Sequence, residues 1–360
     1  MFKLFLNKKV RALPWKFKLF IFKHYFSLSR SDNIQRIDGK KVLSIYLPLF
    51  PSKAFDTFLD AQIKASEGEP VPEIVNISLT SGCQNDCWHC NTPGKRVDLD
   101  TDVLLKTIKD LKKLGTFQFL FTGGNPILRN DLEELIRATG DSTVALVSTP
   151  GLVNKERAES LKEAGCQGVL VGLEHYEQKK NDEIMGYGGA YRQSIKSIKN
   201  VRKAGMLAGS WIVITSDRIP EMDQHLKFVK KKGVTDLAIF EPIIKDNDRL
   251  LNKDERDYLK NVQKIARKTK AYPRIISGPF MDSEEFMGCT AGYNRMHISE
   301  RGDVFPCDML HEDRGNIYEE NIKDIWREMN NKYSEPICGC IALDNTEDRL
   351  PEYYRNLIKR

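Results

Sequence analysis

The chain has 360 residues, 41% hydrophobic and 29% charged, a balance that supports a buried core and excludes a disordered chain. No apolar run approaches the ~20 residues of a membrane-spanning helix. A net charge of +6 is too small a surplus to argue for a nucleic-acid partner. That charge is uneven. Residues 1–30 carry Lys3, Lys8, Lys9, Arg11, Lys16, Lys18, Lys23 and Arg30 and no acidic residue, so the remainder is slightly acidic.

The basic arm interleaves these side chains with Phe2, Phe5, Trp15, Phe17, Phe20, Phe22, Tyr25 and Phe26. Pro14 fits a first helical position. Trp15, Leu19, Phe22 and Phe26 then share a face, with Lys16, Lys23 and Arg30 elsewhere. That pattern fits a helix lying on a membrane surface, and equally one packed across the protein with solvated lysines. Lysines threaded through the apolar residues do not read as a signal peptide. An extension over residues 31–72 follows.

From Glu73 the chain alternates short β-branched runs with helical patterns. Strands are expected over 73–80, 117–122, 143–148, 168–173, 209–215 and 235–241. Helices are expected over 100–114, 130–139, 154–164 and 191–204, from near Pro220, and over 254–269. Six strand-then-helix units predict a parallel sheet with crossover helices. Two units short of a closed eight-fold barrel, this predicts a partial (βα)6 barrel, with its chemistry on loops at the C-terminal ends of the strands. After about Ala271 the alternation stops, and residues 271–360 read as a small cysteine-bearing module. The expected division is thus 1–30, 31–72, 73–270 and 271–360.

Seven of the eight cysteines fall in two groups: Cys83, Cys87 and Cys90, then Cys289, Cys307, Cys338 and Cys340. Close spacing without a signal peptide points to metal before cystine, and to a reducing cytosol. Cys166 reads as a buried apolar residue. Cys83-x3-Cys87-x2-Cys90 follows the first expected strand, where three thiolates suit either an iron–sulfur cluster or a structural zinc knot completed by His89 or a remote ligand.

Cys83-x3-Cys87-x2-Cys90 after the first barrel strand resembles the hallmark of the radical S-adenosylmethionine (SAM) superfamily. The glycine-rich turn Thr122-Gly123-Gly124-Asn125-Pro126, after the next strand, is a second landmark of that family. The resemblance implies a 4Fe-4S cluster on the three cysteines with one iron left for SAM. It implies SAM contacts from Gly123, Gly124 and Asn125, although the family's usual residue at Asn125 is acidic. Glu174, in Val171-Gly172-Leu173-Glu174-His175, is expected at the SAM ribose, with Gly172 where relatives often carry Ser. Met185 stands where relatives often carry an Arg for the SAM carboxylate, and Arg192 is the expected substitute. Trp211, Ile212 and Val213 are expected to border the adenine or to form core.

Cys289-x12-Gly302-x4-Cys307, followed by Gly315-Asn316-Ile317 and Asp324-Ile325-Trp326, resembles the SPASM/twitch modules of the same superfamily. Four cysteines, Cys289, Cys307, Cys338 and Cys340, suit one auxiliary 4Fe-4S cluster, with zinc the alternative. The implied activity is reductive cleavage of SAM to a 5′-deoxyadenosyl radical that takes hydrogen from a substrate. An electron donor such as flavodoxin or ferredoxin is implied with it. The aromatic, basic arm points to a lipid, isoprenoid or otherwise membrane-held substrate and a cytoplasmic protein at the membrane's inner face. A peptide-modifying enzyme and a non-catalytic iron–sulfur or zinc-stabilised barrel are the alternatives. No catalytic acid, base or radical-relay residue stands out.

Overall fold

The computed structural model describes residues 8–12, 15, 18, 35–90, 96–242, 249–283 and 285–344. Helix α1 (Lys8–Ala12) and the hairpin β1 (Gln35–Ile37) and β2 (Lys40–Val42) precede α2 (Lys53–Ser66). The barrel units follow: β3 (Ile74–Thr80), α3 (Thr101–Leu114), β4 (Gln118–Gly123), α4 (Leu132–Thr139), β5 (Val144–Thr149) and α5 (Lys155–Ala164). Next come β6 (Cys166–Gly172), α6 (Gln178–Ile184), α7 (Ala190–Lys203), β7 (Leu207–Val213), α8 (Met222–Lys232), β8 (Asp236–Phe240) and α9 (Lys253–Ala266). The C-terminal region adds β9 (Arg274–Ser277), α10 (Gly278–Met281), β10 (Arg295–Ile298), β11 (Val304–Phe305), α11 (Ile322–Lys332) and α12 (Ile341–Asp344).

Local chemistry sets several boundaries. Asn154 caps α5 by accepting the Arg157 N–H at 2.7 Å, and Asn252 with Glu255 forms a capping box at α9. Gly115, Gly165 and Gly233 end α3, α5 and α8 in left-handed conformation.

Among the described residues one nine-stranded sheet runs β11-β10-β3-β4-β5-β6-β7-β8-β9, with every neighbouring pair parallel except β10 with β11. The six expected units are all present, in a partial α/β barrel. The sheet also continues two parallel strands beyond them. β9 is only four residues long and opens on Arg274, whose charge is buried against Asp236 at 2.6 Å. β10 comes from the cysteine-bearing region and pairs with β3, Arg295 opposite Ile74. The C-terminal region is therefore joined to the barrel through the sheet itself.

Strand alternation sorts the two faces. Val75, Ile77, Leu79, Phe119, Phe121, Ala145, Val147, Val169, Val171, Ile212, Leu237 and Ile239 pack outward under the helices. The inner face carries Leu120, Leu146, Leu170, Leu207 and Ala238, which gather around Ile45 of the N-terminal extension. Residues from five successive strands share one cluster with it because the sheet curls. Tyr46 reports the same curl, since its phenol feels Asp236 of β8 and Arg295 of β10, six strand positions apart. Residues 42–46 thus floor the barrel.

In the arm, Val10 of α1 is buried with Leu43, Phe50, Phe55 and Leu59, and Lys9 pairs with Asp60 at 2.6 Å. Trp15 is 75% exposed. The rest of the expected apolar face, Leu19, Phe22 and Phe26, lies outside the described residues. No helix among the described residues is long and apolar enough to cross a membrane.

Candidate active site and second cysteine centre

The first cysteine group sits on the loop after β3, at the C-terminal ends of the strands. The loop is pinched at its base. Ser81 N–H donates to Val97 O at 2.9 Å, Val97 N–H returns to Ser81 Oγ at 2.7 Å, and the Thr80 hydroxyl bonds Asp98. Arg129 braces both stems from below, donating to Leu79 O at 2.9 Å and Leu99 O at 2.7 Å. Cys90 N–H bonds Cys87 O at 3.0 Å, closing a turn at the end of the cysteine group.

The segment Asn181–Gly186 buttresses this loop. Asp86 N–H and the Cys87 thiol both donate to Met185 O, at 3.2 and 3.6 Å. Gly186 lies so close that a Cβ there would fall 2.0 Å from Asp86 O. The Met185 carbonyl braces the cysteine loop, while its buried sulfur accepts from Asn181 Nδ2 at 3.4 Å. Asn181 is fully buried and accepts from the backbone N–H groups of Glu174 and His175, at 2.9 and 3.2 Å.

The glycine turn closes the other flank. Gly124 N–H bonds Thr80 O at 2.6 Å and Asn125 N–H bonds Gly82 O at 2.7 Å, and a Cβ on Gly124 would meet Gly82 O at 2.5 Å. Asn125 is wholly buried and its side chain is fully engaged. It donates to Gln84 at 2.9 Å and accepts from Thr149 at 2.7 Å and from Ile127 N–H at 3.1 Å. Its position in the structure is that of a clamp between the turn and the cysteine loop.

Glu174, at the end of β6, is also wholly buried. It accepts from Val213 N–H at 3.1 Å and from Arg218 Nη1 at 3.1 Å, while Arg218 Nη2 bonds the Glu174 carbonyl. Sequence reading missed Arg218, because an arginine in Ser216-Asp217-Arg218 looks like an exposed turn. Arg192, the expected cation, is exposed in the first turn of α7. His89 reaches Glu174 at 3.6 Å, and its buried Nδ1 has no partner; burial lowers its pKa. The His89 ring stands perpendicular to Trp211, centroids 6.4 Å apart. The Trp211 N–H is buried and unpaired on the inner face.

Burial pushes the thiols of Cys83 and Cys87 up, and the neighbouring cysteines push both further. Three soft sulfur donors within eight residues suit a metal centre that binds them in their deprotonated form. That donor set fits an iron–sulfur cluster.

The second group lies at the opposite end of the strands. The antiparallel register of β10 and β11, His297 opposite Phe305, carries Cys307 back toward the start of β10, where Cys289 precedes it. Cys289 and Cys307 are buried, Cys340 is half-buried, and Cys338 is exposed. The Cys307 sulfur accepts from the N–H groups of Met309 and Leu310, at 3.4 and 3.3 Å. The Cys340 and Cys289 side chains are hydrogen-bonded to each other. That bond lowers the Cys289 thiol and raises Cys340, while burial drives Cys307 upward. The half-buried Arg295 faces Asp282, Asp308, Cys307 and Cys289. Soft thiolates with N–H donors and one adjacent cation again fit an iron–sulfur cluster.

Comparison with known proteins agrees. Residues 77–229 match the radical SAM superfamily and residues 289–350 match SPASM, an iron-sulfur cluster-binding domain. The AdoMet-dependent heme synthase of Oleidesulfovibrio alaskensis is 26% identical over 297 residues, covering 72% of this chain and 76% of that protein. The GTP 3′,8-cyclase of Aquifex aeolicus is 28% identical over 295 residues, covering 73% and 91%. The structure of Streptococcus suis SuiB bound to S-adenosylmethionine shares the fold with a TM-score of 0.57 at 17% identity, covering 71% of this chain and 65% of SuiB. anSMEcpe with bound AdoMet gives 0.62 at 17% identity, covering 80% and 91%. With SAM and 4Fe-4S clusters as its cofactors, the chain is an enzyme of the radical SAM superfamily and carries a SPASM iron–sulfur domain.

Proposed function

We propose that this radical SAM enzyme modifies a peptide held inside the barrel, between a catalytic cluster on Cys83, Cys87 and Cys90 and a second centre built on Cys289, Cys307 and Cys340. One observation carries the substrate class. On the inner face Gln118 is fully buried with both ends of its amide unpaired, and Asn76 on the next strand leaves its side-chain oxygen unpaired. A hydrocarbon substrate would leave each such atom unsatisfied, at about 1–3 kcal/mol apiece. A peptide offers the N–H and C=O groups that match them. Among the similar proteins, SuiB has been solved bound to precursor peptide SuiA. The PqqA peptide cyclase of Bradyrhizobium diazoefficiens is 29% identical over 153 residues, covering 40% of each chain. Both support the same class, against the lipid or membrane-held substrate that the arm alone favours.

When bound, the open-iron cluster with SAM supplies the 5′-deoxyadenosyl radical that removes a substrate hydrogen. The chain's residues position and enclose. Gly123 and Gly124 let the turn's backbone lie against the amino end of SAM. Asn125 fixes that turn to the cysteine loop. Arg218 holds Glu174 in place for the ribose, and Trp211 and His89 present an unpaired N–H and an unpaired nitrogen toward the nucleoside. The floor at Ile45 and Tyr46 keeps water from one end. A flavodoxin or ferredoxin is the expected electron donor.

Anaerobically reconstituted protein with dithionite and SAM should form 5′-deoxyadenosine. A polar, low-mass cell extract fraction should accelerate that turnover, and protease treatment of the fraction should abolish the acceleration. Acceleration by a protease-resistant lipid fraction alone would reject the peptide reading and restore the lipid one.

A further inference from the structure

We propose that Asp282, not Cys338, is the fourth protein ligand of the second cluster, completing a set with Cys289, Cys307 and Cys340; this rests on the reading of those cysteines as an iron–sulfur centre. Cys338 and Cys340 are separated by a single residue, so a chain passing the centre need present only one of them. An antiparallel bridge pairs Cys289 with Ile337, through hydrogen bonds of 2.6 and 3.1 Å. Two residues later, Gly339 N–H bonds the Asp282 carbonyl at 2.8 Å. These contacts pin the Cys-Gly-Cys segment between Asp282 and Cys289. The pinned geometry leaves Cys338 exposed and half-buries Cys340.

The Asp282 carboxyl is itself half-buried and hydrogen-bonded to the Cys340 side chain, and its charge acts on both Cys340 and Cys289. Asp308, which directly follows Cys307, acts on Cys307 and Arg295. Asp282 is therefore the oxygen donor that completes the three-thiol face. Arg295, facing Asp282 and two of the cysteines, balances the added negative charge. Binding displaces the protons of the thiols and of the carboxyl, since each ligand coordinates in its deprotonated form. A carboxylate is a harder donor than a thiolate and holds iron less firmly. This centre would therefore have one iron more readily exchanged than in an all-cysteine cluster.

The test uses full-length protein in which Cys83, Cys87 and Cys90 are all alanine, so that bound iron belongs to the second centre alone. Iron, sulfide and the low-temperature EPR spectra of the oxidised and the reduced protein are compared after anaerobic reconstitution. The parent should hold about four irons. Cys338→Ala should keep that number and the parent g-values. Cys340→Ala should lose most of the iron. Asp282→Ala should drop to a three-iron signal or change its g-values, while Asp282→Cys should retain about four irons with a shifted spectrum. Circular dichroism identifies any variant that fails to fold, and Asp282→Cys keeps the question answerable if Asp282→Ala does. Iron loss in Cys338→Ala with an unchanged Asp282→Ala would overturn the assignment. So would a parent that takes up zinc and no iron. SAM cleavage by the wild-type enzyme is measured separately, so failure of the catalytic reading shows independently of this one.

Discussion

The indole of Trp211 occupies the space that a side chain at position 172 would need: a Cβ on Gly172 would lie 2.6 Å from Trp211 Cζ2. The two residues are partners across β6 and β7. Where relatives often carry a hydroxyl, this chain has instead laid an aromatic ring across the neighbouring strand and aimed its N–H inward. Gly172→Ser should displace that ring. The overpacking should cost about 1–3 kcal/mol of stability, read as a lower thermal midpoint, and should weaken SAM binding in anaerobic calorimetry. A stable Gly172→Ser protein with unchanged SAM affinity would remove Trp211 from the SAM site.

Glu174 and Arg218 should behave as a unit. The carboxylate is fully buried and the guanidinium 12% exposed, with 3.1 Å between them. Arg218→Ala leaves an uncompensated buried charge, for which ~3–5 kcal/mol is expected. Glu174→Gln in the same chain should recover a large part of that loss, because a neutral amide needs no cation. Urea unfolding of the two single variants and the double variant measures the coupling. Strict additivity would mean that the two residues are not coupled and do not act as a unit.

Gly186→Ala should act on the first cluster without touching the second. Its φ is +59°, and the added carbon would collide with Asp86 O at 2.0 Å, inside the cysteine loop. Backbone cannot yield as a flexible side chain can. The loop must shift, taking Cys87 out of register with Cys83 and Cys90. Iron content should fall by about half, and SAM cleavage should disappear. Full iron with full SAM cleavage would show that the Met185–Gly186 buttress is dispensable.

The barrel was legible because each unit carries its own local signals: β-branched runs, Asx caps such as Asn154, and glycines such as Gly165 at helix ends. β9 escaped because four residues opening on an arginine look like a loop until Asp236 is seen to bury that charge. β10 escaped because its partner is β3, more than two hundred residues earlier, and pairing at that separation leaves no mark in local pattern. The cysteine spacings pointed to the metal chemistry directly. They could not show that Cys338 faces outward while Cys340 turns in, which depends on the Cys289–Ile337 bridge. The clamping role of Asn125 and the burial of Arg218 arise from contacts between strand ends, invisible along the chain.

Glu73, at the entry to β3, gives a pH signature separate from the catalytic site. Its carboxyl is buried, takes a hydrogen bond from Gln62 at 2.8 Å, and is pushed by that burial from 4.5 to about 8. The folded state thus holds a proton that the unfolded state releases near pH 4.5. Its contribution to stability is fully present below that pH and is lost as the pH rises toward about 8. The buried histidines act in the opposite sense at lower pH: burial depresses His225 to about 3 and His297 and His311 to about 4, so their contribution grows as pH rises to 6.5. Between pH 6.5 and 8 the histidines complete their deprotonation in the unfolded state, and they do so equally in wild type and Glu73→Gln, so the contrast between the two proteins isolates Glu73. Over that window the wild type should lose up to about 1.4 kcal/mol per pH unit relative to Glu73→Gln, whose amide keeps the shape and cannot titrate. Urea midpoints at pH 6.5, 7.25 and 8 decide it, conditions set about where the two states differ. Parallel slopes for the two proteins would show that Glu73 is already ionised in the fold.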